Sequence, residues 1–284
     1  MHLRDNKIYR YNFSSKDKEN ESSTILIYFQ IDNFNYNNNN IFNKNVYNEY
    51  IKNRSCLYII HSIFYEIFYD ELRTDQQVGY DVDFVENNEW YILGIYFFVS
   101  SSKYNPDEIV EKINNFIIDN DINDPENFTD EDYESYKESV INYLSQKPLT
   151  LEEEYTRDFS FISKRIYVFS LRQDMINYIK NNINKQMIID FFNKYIYKKA
   201  KRLEIALYCS KKKEEKKEEK MEIEDKDEEK EEEKEEDEKE EDENDDNNDN
   251  NDDILPSYKD MKIEIIHDID DFHRNINYYD NEFY

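Results

Sequence analysis

Glycine is almost absent from this chain, which has only Gly79 and Gly94 among 284 residues. Glycine enters strained turns and lets two backbone segments approach closely, so each one here is expected where a side chain would obstruct the backbone. Two isolated glycines cannot build a phosphate-binding loop, a dinucleotide fingerprint or the Gly-x-Ser-x-Gly turn of serine hydrolases. The scarcity of glycine therefore excludes several large enzyme classes.

The composition predicts an acidic domain with an aromatic core. The length of 284 residues suits one large domain or two small ones. Hydrophobic residues make up 38% of the chain and include 26 Tyr and 18 Phe, enough to build a core rich in aromatic residues. The net charge of −29 argues against nucleic acids and anionic membrane surfaces as partners, and it favours basic peptides or basic protein surfaces. No run of about 18 uncharged apolar residues occurs, so no membrane span is expected.

The cysteines and the N-terminus bear on the cellular location. Cys56 and Cys209 are the only cysteines; both lie in apolar segments and are expected to be small buried side chains in a reducing compartment. The first residues lack the apolar segment of a signal peptide. These features predict a cytoplasmic protein.

Hydrophobic periodicity predicts an α+β layer fold that is rich in antiparallel strands. Residues 1–23 are polar and lack periodicity. The predicted strands are Thr24–Ile31, a hairpin of Val78–Val85 and Trp90–Ser100 joined by Glu86–Glu89, and Leu203–Cys209. The predicted helices are Val46–Leu72, one that begins at Asn105-Pro106, one that begins at Thr129-Asp130, one from Thr150 towards Ile166, Leu171–Lys180 and Asn184–Tyr197.

A charged segment divides this pattern near the C-terminus. Residues 211–253 contain 26 acidic residues and 10 lysines, too few apolar side chains to offset the entropy of ordering. We expect residues 1–210 to form the main body, residues 211–253 a disordered acidic insert, and residues 254–284 a segment that packs back on the same domain. The insert is interpreted first as a solubilising linker and alternatively as a docking site for a basic protein.

The segment Glu71–Tyr80 joins the long helix to the hairpin and contains Gly79. Arg73 carries five N–H donors for carbonyl or carboxylate groups, and Tyr80 adds a ring with a polar tip. On residue chemistry alone, this segment is typical of a helix C-terminus with a cation near its last carbonyl groups and a turn glycine.

Leu72-Arg73-Thr74 followed by Gln77-Val78-Gly79-Tyr80 resembles the Leu-Arg-Thr…Gln-Leu-Gly-Tyr signature of the insulysin (insulin-degrading enzyme) and pitrilysin family of zinc peptidases. In that family the signature lies in the C-terminal, non-zinc domain. Weaker similarity continues at Gly94–Ser100 and reaches Asp268–Arg274. The resemblance implies a largely antiparallel sheet layered with helices. It also implies that Arg73 and Tyr80 hold a substrate peptide, which Gly79 allows to approach closely.

The zinc-binding motif of the same family, H-x-x-E-H, is absent from this chain. Its four histidines are His2, His61, His267 and His273, and none is paired at chelating spacing with a carboxylate between. His61 is expected to be a core or boundary histidine rather than a ligand. We therefore expect no metal ligands and no catalytic residue in this chain, and the resemblance implies zinc held by another domain.

Two functions of different classes follow from these observations. The first is the substrate-binding, non-zinc domain of an insulysin-like zinc metalloendopeptidase, acting on peptides together with a zinc-bearing half in cis or in trans and inactive alone. The second is a stand-alone, non-catalytic binding module with an acidic docking segment. An open reading frame upstream that encodes H-x-x-E-H would favour the first. A histone-chaperone-like role rests on the acidic insert alone and ranks last.

Overall fold

The computed structural model describes residue 3 and residues 7–33, 43–89, 92–164, 166–197, 201–210 and 263–267. These residues form six strands and six α-helices, which confirms the predicted α+β class. The strands are β1 (Lys7–Ser14), β2 (Ser23–Asn33), β3 (Asp81–Glu89), β4 (Ile92–Ser101), β5 (Lys201–Tyr208) and β6 (Ile263–Ile266). The helices are α1 (Lys44–Tyr69), α2 (Pro106–Asp119), α3 (Asp130–Ser145), α4 (Leu151–Ser163), α5 (Leu171–Asn182) and α6 (Lys185–Phe192).

The six strands form one sheet in the order β3-β4-β2-β5-β1-β6. The pairs β3–β4, β4–β2 and β2–β5 are antiparallel, whereas β1 runs parallel to both β5 and β6. The sheet is therefore largely antiparallel, as predicted, and β3 forms one of its two edges. Strand β6 lies at the opposite edge and joins residues 263–266 to the main body.

Two predictions about the strands were wrong. Strand β1 was not predicted because two of its positions that face the helices are polar, Arg10 and Asn12. Its alternating aromatic residues Tyr9, Tyr11 and Phe13 were the available signal. The polar segment 86–89 was predicted to connect the hairpin strands, but it belongs to β3 and pairs with residues 92–95 of β4.

The main core lies between the sheet and the helices, with α1 against β3 and β4 and α2 against β2 and β5. The predicted apolar stripe of α1 is buried there and includes Phe64 and Phe68. Phe68 contacts Phe97 of β4 and Phe116 of α2, with ring centroids 4.8 and 5.0 Å apart. Edge-on aromatic contacts of this kind stabilise a core beyond simple area burial. They fix the end of α1 relative to the hairpin.

A buried ion cluster connects β1 and β5 to the start of α2. Arg202 and Glu204 are 0% and 1% exposed, and Arg202 Nη2 lies 2.8 Å from Glu204 Oε1. Arg10 lies 3.4 Å from Glu204 and 2.5 Å from Asp107 of α2. Burial alone would lower the pKa of Arg10, but the two carboxylates outweigh burial and raise it. This cluster explains why an inward position of β1 is occupied by a cation.

The structure tests some of the remaining predictions, and others concern residues that it does not describe. Cys56 and Cys209 are buried free thiols, as predicted, and burial raises the pKa of Cys56 to about 12. Within the described ranges, no helix is both long and apolar enough to cross a bilayer. The acidic insert, residues 211–253, and the C-terminal residues 268–284 lie outside the described residues.

Candidate functional site

Helix α1 continues past its α-helical part as a π-helical segment, Asp70–Asp75. The Gln76 N–H donates to the Glu71 carbonyl, and the Val78 N–H donates to the Leu72 carbonyl, both at 2.8 Å. These hydrogen bonds span five and six residues, more than the four of an α-helix. They close the last turn and satisfy carbonyl groups that a helix end leaves without partners. Arg73 lies in this last turn, because the helix extends three residues beyond its predicted end at Leu72; the prediction had placed the cation near the last carbonyl groups.

The turn after the helix does not use its glycine for a left-handed conformation. Gln77 is the left-handed residue, with φ of 50°, and Gly79 has no positive φ. A Cβ atom on Gly79 would instead meet the carbonyl oxygen of Ser100 in β4. The next residue, Ser101, donates its hydroxyl to the Val78 carbonyl at 2.5 Å. Gly79 therefore lets the turn lie directly against the end of β4, which confirms the expectation that a side chain at this position would obstruct the backbone.

Arg73 and Tyr80 lie in contact across this turn. The Arg73 guanidinium lies over the Tyr80 ring at 5.0 Å and over the Tyr69 ring at 4.8 Å, and it also donates to the Tyr69 hydroxyl. Arg73 is half-buried, whereas Tyr80 is 84% exposed. Two aromatic faces attract and orient a guanidinium by cation–π interaction. The cation is thus held at the surface without being enclosed in the core.

Arg73, Gly79 and Tyr80 all line one open groove of about 410 Å³. Its other lining residues are Ser22, Gln77, Val78, Asp81, Ser100, Ser102 and Lys103. Serine, lysine and arginine side chains donate hydrogen bonds to carbonyl groups, and the Asp81 carboxylate accepts them. The groove can therefore pair with both donors and acceptors of an extended peptide.

Sequence reasoning missed Ser22 and Lys103 as members of this groove. Ser22 precedes β2 and Lys103 follows β4, and these two strands pair next to each other in the sheet. The residues are about 80 positions apart along the chain, so no local pattern connects them to Arg73. Lys103 adds a second cation to the groove.

His61 makes contacts that fit a boundary residue rather than a metal ligand. Its Nε2 lies 2.8 Å from the Phe84 carbonyl oxygen, and its ring stacks on Tyr65 and Phe84. In the part of the chain that the structure describes, no three His, Cys, Asp or Glu residues come together as a metal site. The described residues therefore do not fit a zinc ion, and we assign no reaction step to one here.

Comparison with known proteins places these features in context. Residues 59–159 match the family model described as "PQQ synthase PqqF-like, C-terminal lobe domain 4". The A-factor-processing enzyme of Saccharomyces cerevisiae is 30% identical over 197 residues, which cover 67% of this chain and 17% of that protein. A nardilysin-like protein of Arabidopsis thaliana is 26% identical over 196 residues, covering 68% and 18%. The chain thus spans less than a fifth of these relatives.

Two solved structures share this fold. The crystal structure of pitrilysin superposes with a TM-score of 0.53 at 19% sequence identity, over 74% of this chain and 20% of that one. A protease from Helicobacter pylori superposes with a TM-score of 0.51 at 7% identity, over 69% of this chain and 43% of that one. At such identities the likeness concerns the arrangement of strands and helices.

Proposed function

We propose a peptide-binding function for this chain, which belongs to the insulysin and pitrilysin family of peptidases (family M16) and resembles its C-terminal domain. In this proposal the chain is the substrate-binding, non-zinc domain of an insulysin-like zinc metalloendopeptidase. It acts together with a zinc-bearing half, in cis or in trans, in the cytoplasm. The much greater length of the relatives fits a division of binding and catalysis between domains.

The contact between Arg73 and Tyr80 at the groove is the observation that carries this proposal. A guanidinium has five N–H donors in a rigid plane, and the Tyr69 hydroxyl accepts from one of its nitrogens. The rings of Tyr69 and Tyr80 restrict the orientation of that plane. Donors held in advance at a fixed position lower the cost of binding a carbonyl oxygen and of stabilising negative charge that develops on it.

The residues have separate roles in this proposal. Arg73 donates to a peptide carbonyl oxygen and, in the assembled enzyme, to the oxyanion of the tetrahedral intermediate. The Tyr80 hydroxyl provides a second donor from its exposed position. Gly79 lets the turn lie against β4 and so sets where Tyr80 leaves the sheet. Zinc, held by another domain, would activate the attacking water.

A turnover assay with matched variants tests the proposal. The chain is combined with a zinc-bearing family half, and cleavage of a peptide about nine residues long is measured together with the melting temperature. Arg73→Ala should lower turnover on the order of a hundredfold, and Tyr80→Phe should lower it less, because the ring that contacts Arg73 remains. Arg157→Ala, on α4 and outside the groove, is the control.

The outcomes separate a site from a structural element. A fall in turnover at an unchanged melting temperature for Arg73→Ala, with normal turnover for Arg157→Ala, supports the proposal. A large drop in melting temperature with proportional loss of activity would make Arg73 a structural residue. Undiminished turnover of the Arg73→Ala protein would contradict the proposal directly.

A further inference from the structure

A second open cleft, of about 470 Å³, lies between α1 and α3 beside β3. Its lining residues are Tyr58, His61, Ser62, Tyr65, Glu66, Glu86, Ser135, Tyr136, Ser139, Val140 and Tyr143. These include four tyrosines and two glutamates, and neither lysine nor arginine is among them. The volume falls in the range of sites that hold a single small ligand or one large side chain.

The aromatic walls of the cleft are held in place by their own contacts. Tyr58 of α1 and Tyr143 of α3 have ring centroids 6.3 Å apart. His61 stacks on Tyr65 at 5.1 Å, and its Nε2 is held by the Phe84 carbonyl. The faces of such rings carry negative potential and attract organic cations. Arg54 and Arg172 already lie 5.7 Å from the ring centroids of Tyr58 and Tyr143, so the rings of Tyr65 and Tyr136 are the ones that favour a ligand with a positive charge.

Two glutamates add carboxylate groups to these walls. Glu66 is exposed at the rim on α1. Glu86 Oε2 is shielded from solvent and has no hydrogen-bond partner among the described residues. Arg54 lies behind Tyr58, where it donates to the hydroxyls of Tyr50 and Tyr58 at 2.8 and 3.5 Å, and it does not line the cleft. Its charge offsets part of that of Glu86, so Glu66 is the main attraction for a ligand.

We propose that this cleft binds an ammonium or guanidinium group, as carried by a lysine or arginine side chain of a peptide. The aromatic rings would surround the alkyl stem and the cation, and the glutamates would pair with its charge. An uncharged side chain of the same length would gain only the apolar contacts. A carboxylate would be repelled.

The cleft and the groove around Arg73 lie in line along α1. The inference that both hold the same peptide rests on the proposed function. Tyr58, His61, Tyr65, Tyr69 and Arg73 are spaced by three or four residues, so they lie on one face of α1 and its π-helical end. From His61 to Arg73 the helix rises by about 18 Å. An extended peptide covers this length in about five residues. A peptide held at Arg73 can therefore place a basic side chain, about five residues away, in the cleft.

A titration with small probes tests the cleft by itself. N-acetyl-lysine methylamide and its uncharged analogue N-acetyl-norleucine methylamide are added to the full chain, and binding is followed by NMR. The lysine probe should bind at least tenfold more tightly. Glu66→Gln and Tyr65→Leu should each weaken it about fivefold, in keeping with one charge or one cation–π contact at an exposed site.

Glu138→Gln, on α3 and outside the cleft, is the matched control and should leave the binding of the lysine probe unchanged. Equal loss from Glu138→Gln would show general attraction to an acidic protein and would overturn the proposal. Equal affinity for both probes would also overturn it.

A peptide series tests the alignment with the groove. Fluorescent peptides that carry one arginine at successive positions are bound to the wild-type chain, to Arg73→Ala, to Glu66→Gln and to the double variant. A preferred arginine position that disappears in Glu66→Gln supports the alignment, and affinity independent of that position contradicts it. If Arg73→Ala has no effect on peptide binding while the lysine probe still depends on Glu66, the proposed function fails and the cation cleft stands. The reverse pattern overturns the cleft alone.

Discussion

The carbonyl oxygen of Ser100 occupies the space that a Cβ atom on Gly79 would need. The backbone fixes the position of a Cβ atom, and the Ser100 carbonyl is itself part of the backbone, so neither group can turn aside. Overpacking of this kind costs about 1–3 kcal/mol. Gly79→Ala should therefore lower the free energy of unfolding by about this amount and should displace Tyr80. Chemical denaturation measures the change.

Gly94→Ala is the matched comparison for this prediction. A Cβ atom on Gly94 would meet the ring of Tyr28, which is half-buried and belongs to a side chain that can adopt another rotamer. The loss of stability should therefore be smaller than for Gly79→Ala. Equal losses would show that the close approach of the turn to β4 has no special importance.

Arg73 should contribute little to stability even though it contacts two rings. A cation–π contact at an exposed site is worth about 0.5–1 kcal/mol, and Tyr80 is almost fully exposed. Arg73→Ala and Tyr80→Phe should each change the free energy of unfolding by less than about 1.5 kcal/mol in denaturant titrations. A loss of several kcal/mol would show that Arg73 is part of the core.

The buried pair of Arg202 and Glu204 should be sensitive to the removal of one partner. Glu204→Leu leaves the Arg202 guanidinium buried beside Arg10, and breaking such a pair costs about 3–5 kcal/mol. The double change Arg202→Met and Glu204→Leu should cost less, because Arg10 still pairs with Asp107. Unfolding of the wild-type chain, the two single variants and the double variant gives the coupling energy, and simple additivity would contradict the prediction.

The free energy of unfolding should fall at alkaline pH, because buried tyrosines such as Tyr197 lose their hydroxyl proton more readily in the unfolded chain. Burial, together with the negative charge of Asp121, raises the pKa of Tyr197 from 10.0 to about 12. The unfolded chain thus releases this proton at a lower pH than the folded chain. The contribution of Tyr197 is complete below pH 10 and decreases between pH 10 and 12 by at most about 1.4 kcal/mol per pH unit.

Denaturant titrations of Tyr197→Phe between pH 8 and 12 check this prediction. The variant should lose stability less steeply with pH than the wild-type chain. Tyr155→Phe alters an exposed tyrosine and should follow the wild-type curve. Identical slopes for all three proteins would contradict the assignment.

Deletion of residues 211–253 should leave the fold intact. Strand β5 ends beside Ser14 and β6 begins beside Ile8, so the connection must return along β1 by about 20 Å and cross to the far side of that strand. The eleven residues left between Tyr208 and Ile263 after deletion can span about 36 Å. A melting temperature close to that of the full chain is expected, and a large drop would show that the insert stabilises the body.

Local sequence patterns predicted most helices well. Asn105 and Thr129 cap α2 and α3 by accepting from the backbone N–H groups of the first turn, as their sequences indicated. Such caps depend only on residues within four positions of each other. The hairpin connection was placed too early because polar residues at an edge strand resemble a loop when their partner strand is unknown.

For the candidate site too, the sequence determined some features and only the tertiary structure decided others. Sequence by itself determined the fold class, the family, the position of Arg73 near the end of a long helix, and the need for glycine at position 79, because each depends on neighbouring residues or on a short motif. Only the tertiary structure decided that Gly79 serves a close approach to Ser100 and that Lys103 joins Arg73 at one groove. Only it decided that Arg10 of β1 is stabilised by carboxylates from β5 and α2. These relationships join residues far apart in the chain, and no local pattern encodes the packing that brings them together.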